Sequence, residues 1–194
     1  MKIVCIGSDN TRGFPIDMKQ CWVSLWEKAS GFEIINMGES GSTAEHMIYR
    51  FKADVLDLNP SVVLIITGTT DFIHYGKEPQ EVMDLVLTMV KTAKDHGIKP
   101  IVVTPILIDI PIACRYMAGD ACIDYDAVNH SLKKYRDLIL STAKDGGYDV
   151  WDFQTKFEEA IKGKGDRASY FVDGIHPGLE AHMIVASIAL GENL

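Results

Sequence analysis

The sequence lacks any apolar run approaching the length needed to cross a bilayer, which excludes a helical membrane span. Positive charge is scarce. Lys and Arg number 19 against 27 Asp and Glu, for a formal net charge of −8, which argues against nucleic acid or an anionic membrane surface as a partner. Cysteine is sparse too. The four, at 5, 21, 114 and 122, show no metal-ligand spacing. Reduced thiols in a cytoplasmic protein are the expectation, and Cys114 with Cys122, in one stretch, is the one pairing the spacing leaves open. The opening Met1-Lys2-Ile3-Val4-Cys5-Ile6 is too short for a secretory leader, and Gly7-Ser8-Asp9 ends it. Repeats, linkers and low-complexity runs are missing. What is present is ordinary: 194 residues, 47% hydrophobic and 24% charged, as in one globular domain over 1–194. No cofactor and no metal are expected.

Apolar periodicity divides the chain into alternating strands and helices. Nearly unbroken apolar runs at 2–7, 62–67 and 101–104 predict strands buried on both faces. Shorter strands are expected at 32–37 and 148–151. Helices are expected over 17–30 (stopped by Gly31), 43–55, 79–96 (opened by Pro79), 124–145, 155–162 and 178–190. Ser42-Thr43-Ala44-Glu45 fits a capping box at the start of the second of these. Residues 8–13 and 68–71 are expected as polar turns, and 105–123 as a long loop. Strands alternating with helices predict a parallel sheet covered on both faces, with its post-strand turns gathered at the carboxyl edge, where such folds bind ligands.

The strongest local sign of chemistry is Asp173-Gly174-Ile175-His176-Pro177. A carboxylate three residues before an imidazole, in a turn fixed by Gly and Pro, can hold that ring as a base. Alone, the same pattern also describes a surface turn with two polar residues. Its weight depends on what else reaches the same edge.

Four blocks in order resemble the SGNH or GDSL-type hydrolases. Gly7-Ser8-Asp9-Asn10-Thr11-Arg12-Gly13 resembles the family's G-D-S-L-T-x-G, and Asn36-Met37-Gly38-Glu39-Ser40-Gly41-Ser42-Thr43 is similar to N-x-G-x-S-G-x-T. Gly68-Thr69-Thr70-Asp71 resembles G-x-N-D, and Asp173 to Pro177 matches D-x-x-H-P. The resemblance implies a three-layer α/β/α domain of flavodoxin-like type with a five-stranded parallel sheet. It also implies ester or acyl hydrolysis by a Ser-His-Asp triad, with His176 as base, Asp173 as its orienter, and Gly38 as an oxyanion donor.

Two signature positions depart from that pattern. In ungapped alignment the nucleophilic Ser falls on Asp9 and Ser8 takes the place of the family's Asp, so the pair is inverted. The third-block Asn is Thr70, a shorter donor, which either serves the oxyanion hole or only caps its turn. Successive side chains on a strand point to opposite faces, so Ser8 and Asp9 cannot both face His176 if the strand persists. A one-residue bulge or a tighter turn at the strand end would re-aim Ser8. If register holds, Asp9 faces His176 and pairs with the imidazolium or occupies the oxyanion hole, an arrangement inert for Ser-type acyl transfer that still supports water activation with Asp9 or His176 as base.

The expected function is therefore hydrolysis of a small acyl ester, impaired by Asp9 and Thr70. The alternatives are a noncatalytic ligand-binding relative and a hydrolase that uses Asp9 as base or nucleophile. Ile106, Leu107, Ile108, Ile110, Ile112 and Met117 line an apolar pocket or pack a contact in a homo-oligomer. His74 with Asp9 and His176 is a weak metal candidate lacking supporting spacing. Ser40 reads as a turn residue, Glu39 as solvated, and His46, His96 and His130 as surface or packing residues. His182 and the pair Trp22 and Trp26 read as packing residues.

Overall fold

A computed structural model describes residues 1–116 and 123–194. Met117 and Cys122 lie outside the described residues, and with them the outer end of the apolar stretch and the Cys114–Cys122 pairing.

Five strands form one all-parallel sheet: β1 (Lys2–Gly7), β2 (Glu33–Gly38), β3 (Val62–Ile66), β4 (Lys99–Val103) and β5 (Asp149–Trp151), in the order β2-β1-β3-β4-β5. This is the flavodoxin-like order, with its switch point between β1 and β3. The helices are α1 (Asp9–Arg12), α2 (Trp22–Ser30), α3 (Ala44–Asp54), α4 (Thr69–Tyr75), α5 (Pro79–Asp95), α6 (Ile110–Tyr116), α7 (Tyr125–Gly146), α8 (Phe153–Ile161) and α9 (Leu179–Leu190). No described helix is long and apolar enough to cross a membrane.

The strand alternation sorts the core into two layers. Val4, Ile6, Val63, Ile65 and Val102 pack against α3, α5 and α7. Ile3, Cys5, Val62, Leu64, Ile101 and Val103 pack against α2, α8 and α9. The three inner strands are buried on both faces, as their unbroken apolar runs predict. The edge strand β2 is only half-buried. Trp22 and Trp26 lie in the second layer, stacked at 6.2 Å, with Trp26 edge-on to Trp151.

Several boundaries differ from expectation for local reasons. Residues 9–12 close a helical turn because the Ser8 carbonyl accepts from Thr11 N and Arg12 N. Helix 17–30 is broken at Cys21, preceded by a 3-10 turn whose Asp17 carboxylate takes Lys19 N. The cap of α3 is Thr43, which accepts from His46 N, rather than Ser42. Residues 69–75 continue the 68–71 turn into α4. Within the expected loop 105–123 stands α6: the Asp109 carboxylate accepts from Ile112 N, and Pro111 falls in the first turn, where its missing N–H is no loss. That helix turns the apolar stretch inward. Ile108 and Ile112 are 3% and 7% exposed and Ile106 8%, so these three belong to this chain's own interior rather than to a contact surface.

Candidate active site

The carboxyl ends of β1 and β3 deliver Ser8, Asp9 and Thr70 to one cleft, whose wall is completed by Ile175, His176 and His74. The cleft measures about 50 Å³.

Its His side is built almost wholly from local bonds. The Nδ1 of His176 lies 2.7 Å from Oδ2 of Asp173. The other carboxylate oxygen accepts from Ile175 N at 3.0 Å and His176 N at 2.8 Å. Burial pushes the Asp173 carboxyl up, but the hydrogen bonds from the His176 ring and the two backbone N–H groups outweigh it, leaving the group below the usual carboxylate range. Gly174 sits at φ +89, where a side chain is strained, and a Cβ there would lie 2.3 Å from Ala113 N. Its carbonyl accepts from Asp109 N, and Val172 N donates to the His176 carbonyl at 2.9 Å, so the turn is tied on both sides. Bonding of Nδ1 to Asp173 leaves Nε2 as the nitrogen free for chemistry. Phe14, 46% exposed, meets the imidazole edge-on at 5.0 Å.

The opposite side is assembled from distant segments. The β1–β2 register runs without interruption from Lys2↔Glu33 to Gly7↔Gly38, so β1 holds no bulge, but the strand ends there and the chain turns at Ser8 into α1, which leaves both Ser8 and Asp9 lining the cleft. Asp9 opens α1, and its Oδ2 accepts from Gly41 N at 3.0 Å. Among the described residues no ion pair joins Asp9 to His176; the carboxylate paired with that ring is Asp173. The expected contact between Asp9 and the imidazolium is therefore not formed, because Gly41 holds the carboxylate.

The Gly38 N–H, which the resemblance implies as an oxyanion donor, has a side-chain partner in its own strand. It donates to Asn36 Oδ1 at 2.9 Å, and a Cβ at Gly38 would lie 2.2 Å from Arg12 N. The glycine serves close approach of β2 to α1, and Gly41 supplies the N–H that faces residue 9. In the sequence Gly41 stands out only as a member of the second family block, since a contact across 32 positions leaves no local signal.

Two supports were also missed. Asp71, fully buried, accepts from Ala44 N and Gly68 N, joining the start of α4 to the start of α3. Burial raises its pKa, against the opposing pull of those N–H groups and of Lys77. Arg50 donates to the carbonyls of Gly7 and Met37, both at 2.9 Å, and pairs with Asp54. It thereby ties together the strand ends that carry residue 9 and the Gly41 turn. Ser40 accepts a weak bond from Arg12, and Glu39 is a mostly exposed partner of Arg50. His46, His96 and His130 are exposed. Among the described residues no three His, Cys, Asp or Glu are grouped to hold a metal, so the His74 cluster is not formed.

Comparison with known proteins agrees with this architecture. The model of the GDSL-like Lipase/Acylhydrolase family matches residues 5–184. An acetylxylan esterase of Geobacillus stearothermophilus is 26% identical over 167 residues, 84% of this chain and 72% of that protein. The uncharacterized lipoprotein YqeF of Bacillus subtilis (strain 168) is 34% identical over 114 residues, 53% of this chain and only 47% of that protein, so this match spans about half the length of that relative. A solved member of the lipolytic protein G-D-S-L family from Veillonella parvula DSM 2008 is 21% identical and superposes with a TM-score of 0.79, covering 98% of this chain and 96% of that one. The chain belongs to the GDSL-like lipase/acylhydrolase family.

Proposed function

We propose that the protein is a slow hydrolase of small acyl esters, acetyl esters foremost, in which His176 activates water and residue 9 provides no hydroxyl nucleophile. The observation that carries this reading is the Asp173–His176 bond of 2.7 Å in a cleft shared with Asp9 and Thr70. His176 Nε2 takes a proton from a water molecule, and the oxygen of that water attacks the acyl carbon. His176 then returns the proton to the departing alcohol, so ester and water become acid and alcohol with no covalent enzyme intermediate. Asp173 holds the ring and stabilises its cationic form.

The cost falls on the oxyanion side. The Gly41 N–H is taken by the Asp9 carboxylate, which puts negative charge where charge develops in the transition state. Thr70 offers one short hydroxyl in place of a longer amide donor. The small cleft favours a short acyl group, as does the likeness to an acetylxylan esterase.

A second reading, a ligand-binding relative without turnover, is favoured by that same Asp9–Gly41 bond. Hydrolysis of an aryl acetate separates the two. The hydrolase reading expects slow turnover that is lost in His176→Ala and retained in Ser8→Ala. A rate equal to that of the buffer alone would leave only the binding reading.

A further inference from the structure

Beside the cleft, and meeting it at Ser8, Asn10 and Thr69, lies a second pocket of about 40 Å³. Asn10 and Thr11 of α1, Trp22 of α2 and His182 of α9 line it, and the segment after β4 closes it. Three side-chain atoms of its lining residues are buried without a hydrogen-bond partner: Asn10 Oδ1, Thr11 Oγ1 and His182 Nε2. Native interiors leave few such atoms, and the grouping of three around one pocket points to an occupant. Two of these residues are almost wholly buried, His182 at 0% and Thr11 at 1% exposed.

The protonation of His182 is fixed by its neighbour. Trp22 N donates to Nδ1 at 3.2 Å, so Nδ1 carries no proton. Burial holds the ring's pKa down to about 4, which keeps it neutral near pH 7. The remaining proton therefore sits on Nε2, and the pocket has an N–H donor at His182 and a carbonyl acceptor at Asn10. Thr11 Oγ1 can play either part.

We propose that this pocket binds a small neutral molecule of about three to four non-hydrogen atoms that carries both an acceptor and a donor, a primary amide of acetamide size being the best match. No charged side chain lines the pocket, so an ion would be buried without a counter-charge. A hydrocarbon would leave the three polar atoms unpaired. The apolar walls of Trp22, Phe153, Ile106 and Val185 suit the carbon end of an amphiphile better than a cluster of waters. An amide carbonyl accepts from His182 Nε2–H while its NH₂ donates to Asn10 Oδ1. The site shares Ser8, Asn10 and Thr69 with the cleft but includes neither Asp9 nor His176, so binding there is read independently of ester turnover.

The test is titration of the full-length ¹⁵N-labelled protein with acetamide and, separately, with xenon, following the His182 ring and the Thr11 amide by NMR. Saturable acetamide shifts confined to pocket residues are expected. They should vanish in Val185→Phe, which fills the space, and Asn10→Leu should weaken binding by roughly tenfold. No saturable acetamide shift, as with a pocket that holds only water, overturns the proposal. So does xenon binding without acetamide binding, or unchanged affinity in Asn10→Leu, a variant that keeps the test open should Val185→Phe misfold.

Discussion

The two walls of the cleft were made in different ways. The His wall is five consecutive residues, 173–177, whose carboxylate satisfies its own turn through two backbone N–H groups and the His176 ring. The residue-9 wall joins the end of β1, the turn after β2 and the start of α4, with Arg50 bridging the first two. A site half that depends on one short segment keeps its geometry under drift elsewhere. One that depends on three segments does not announce its partners in the sequence, and here it is also the half whose chemistry departs from the family pattern.

Breaking the His wall should have the largest effect. His176→Ala removes the base and should lower any ester turnover by roughly 10²–10⁴. Asp173→Asn should approach the same loss while the protein remains folded, because the turn keeps its backbone bonds to Asp109 and Val172. Steady-state rates on an aryl acetate, with circular dichroism as a control for folding, measure both. Unchanged turnover in Asp173→Asn would remove that residue from the mechanism.

Rebuilding the residue-9 wall should shift activity the other way. Ser8→Asp with Asp9→Ser places a hydroxyl where the carboxylate now holds Gly41 N, and Thr70→Asn lengthens the second donor. The combined variant should gain roughly 10²–10³ in turnover over the parent, the scale of a restored oxyanion donor. No gain would mean that the defect lies outside these three positions.

The pocket beside the cleft sharpens the contrast through pH. The pKa of His182 falls from its usual 6.5 to about 4 on folding. The unfolded chain therefore takes up a proton that the folded one refuses as pH drops below 6.5. Stability from keeping this ring neutral is complete above that value and is lost between pH 6.5 and about 4, on the order of 3 kcal/mol in all. Urea unfolding at pH 7 and pH 4 should show this loss in the parent and a smaller one in His182→Gln. Equal losses would indicate that other groups dominate. The smallest effect is expected from Arg50→Met, about 1–2 kcal/mol, because Gly7 O keeps its bond from Glu39 N. A much larger loss would make Arg50 essential to the fold rather than a tie between two strand ends.

What the sequence disclosed follows the same division. The strand runs, the parallel order and the Asp173–His176 spacing were legible because each is a local pattern: a two-faced apolar run, a βα alternation, an i, i+3 pair across Gly174. The bond from Gly41 to Asp9 and the hold of Asp71 on Ala44 span 32 and 27 positions and left no periodic trace. Helix α6 was missed although Asp109-Ile110-Pro111 carries an N-cap and a first-turn Pro, since the run of Ile around it reads as a hydrophobic loop. Gly38 fitted the family block by position, but its N–H is spent on Asn36, which only the folded register reveals.

The central claim of the proposed mechanism is that Asp9, and not Ser8, occupies the nucleophile position: both line the cleft with His176, but Asp9 is the one that accepts from Gly41 N, and no hydrogen bond among the described residues joins Ser8 to His176. Labelling with a fluorophosphonate probe, which captures an activated serine, tests it most directly. The parent should remain unlabelled by intact mass, while Asp9→Ser should take up one probe, at residue 9. A parent labelled at Ser8 would contradict the account, for it would require that Ser8 reach His176 in solution.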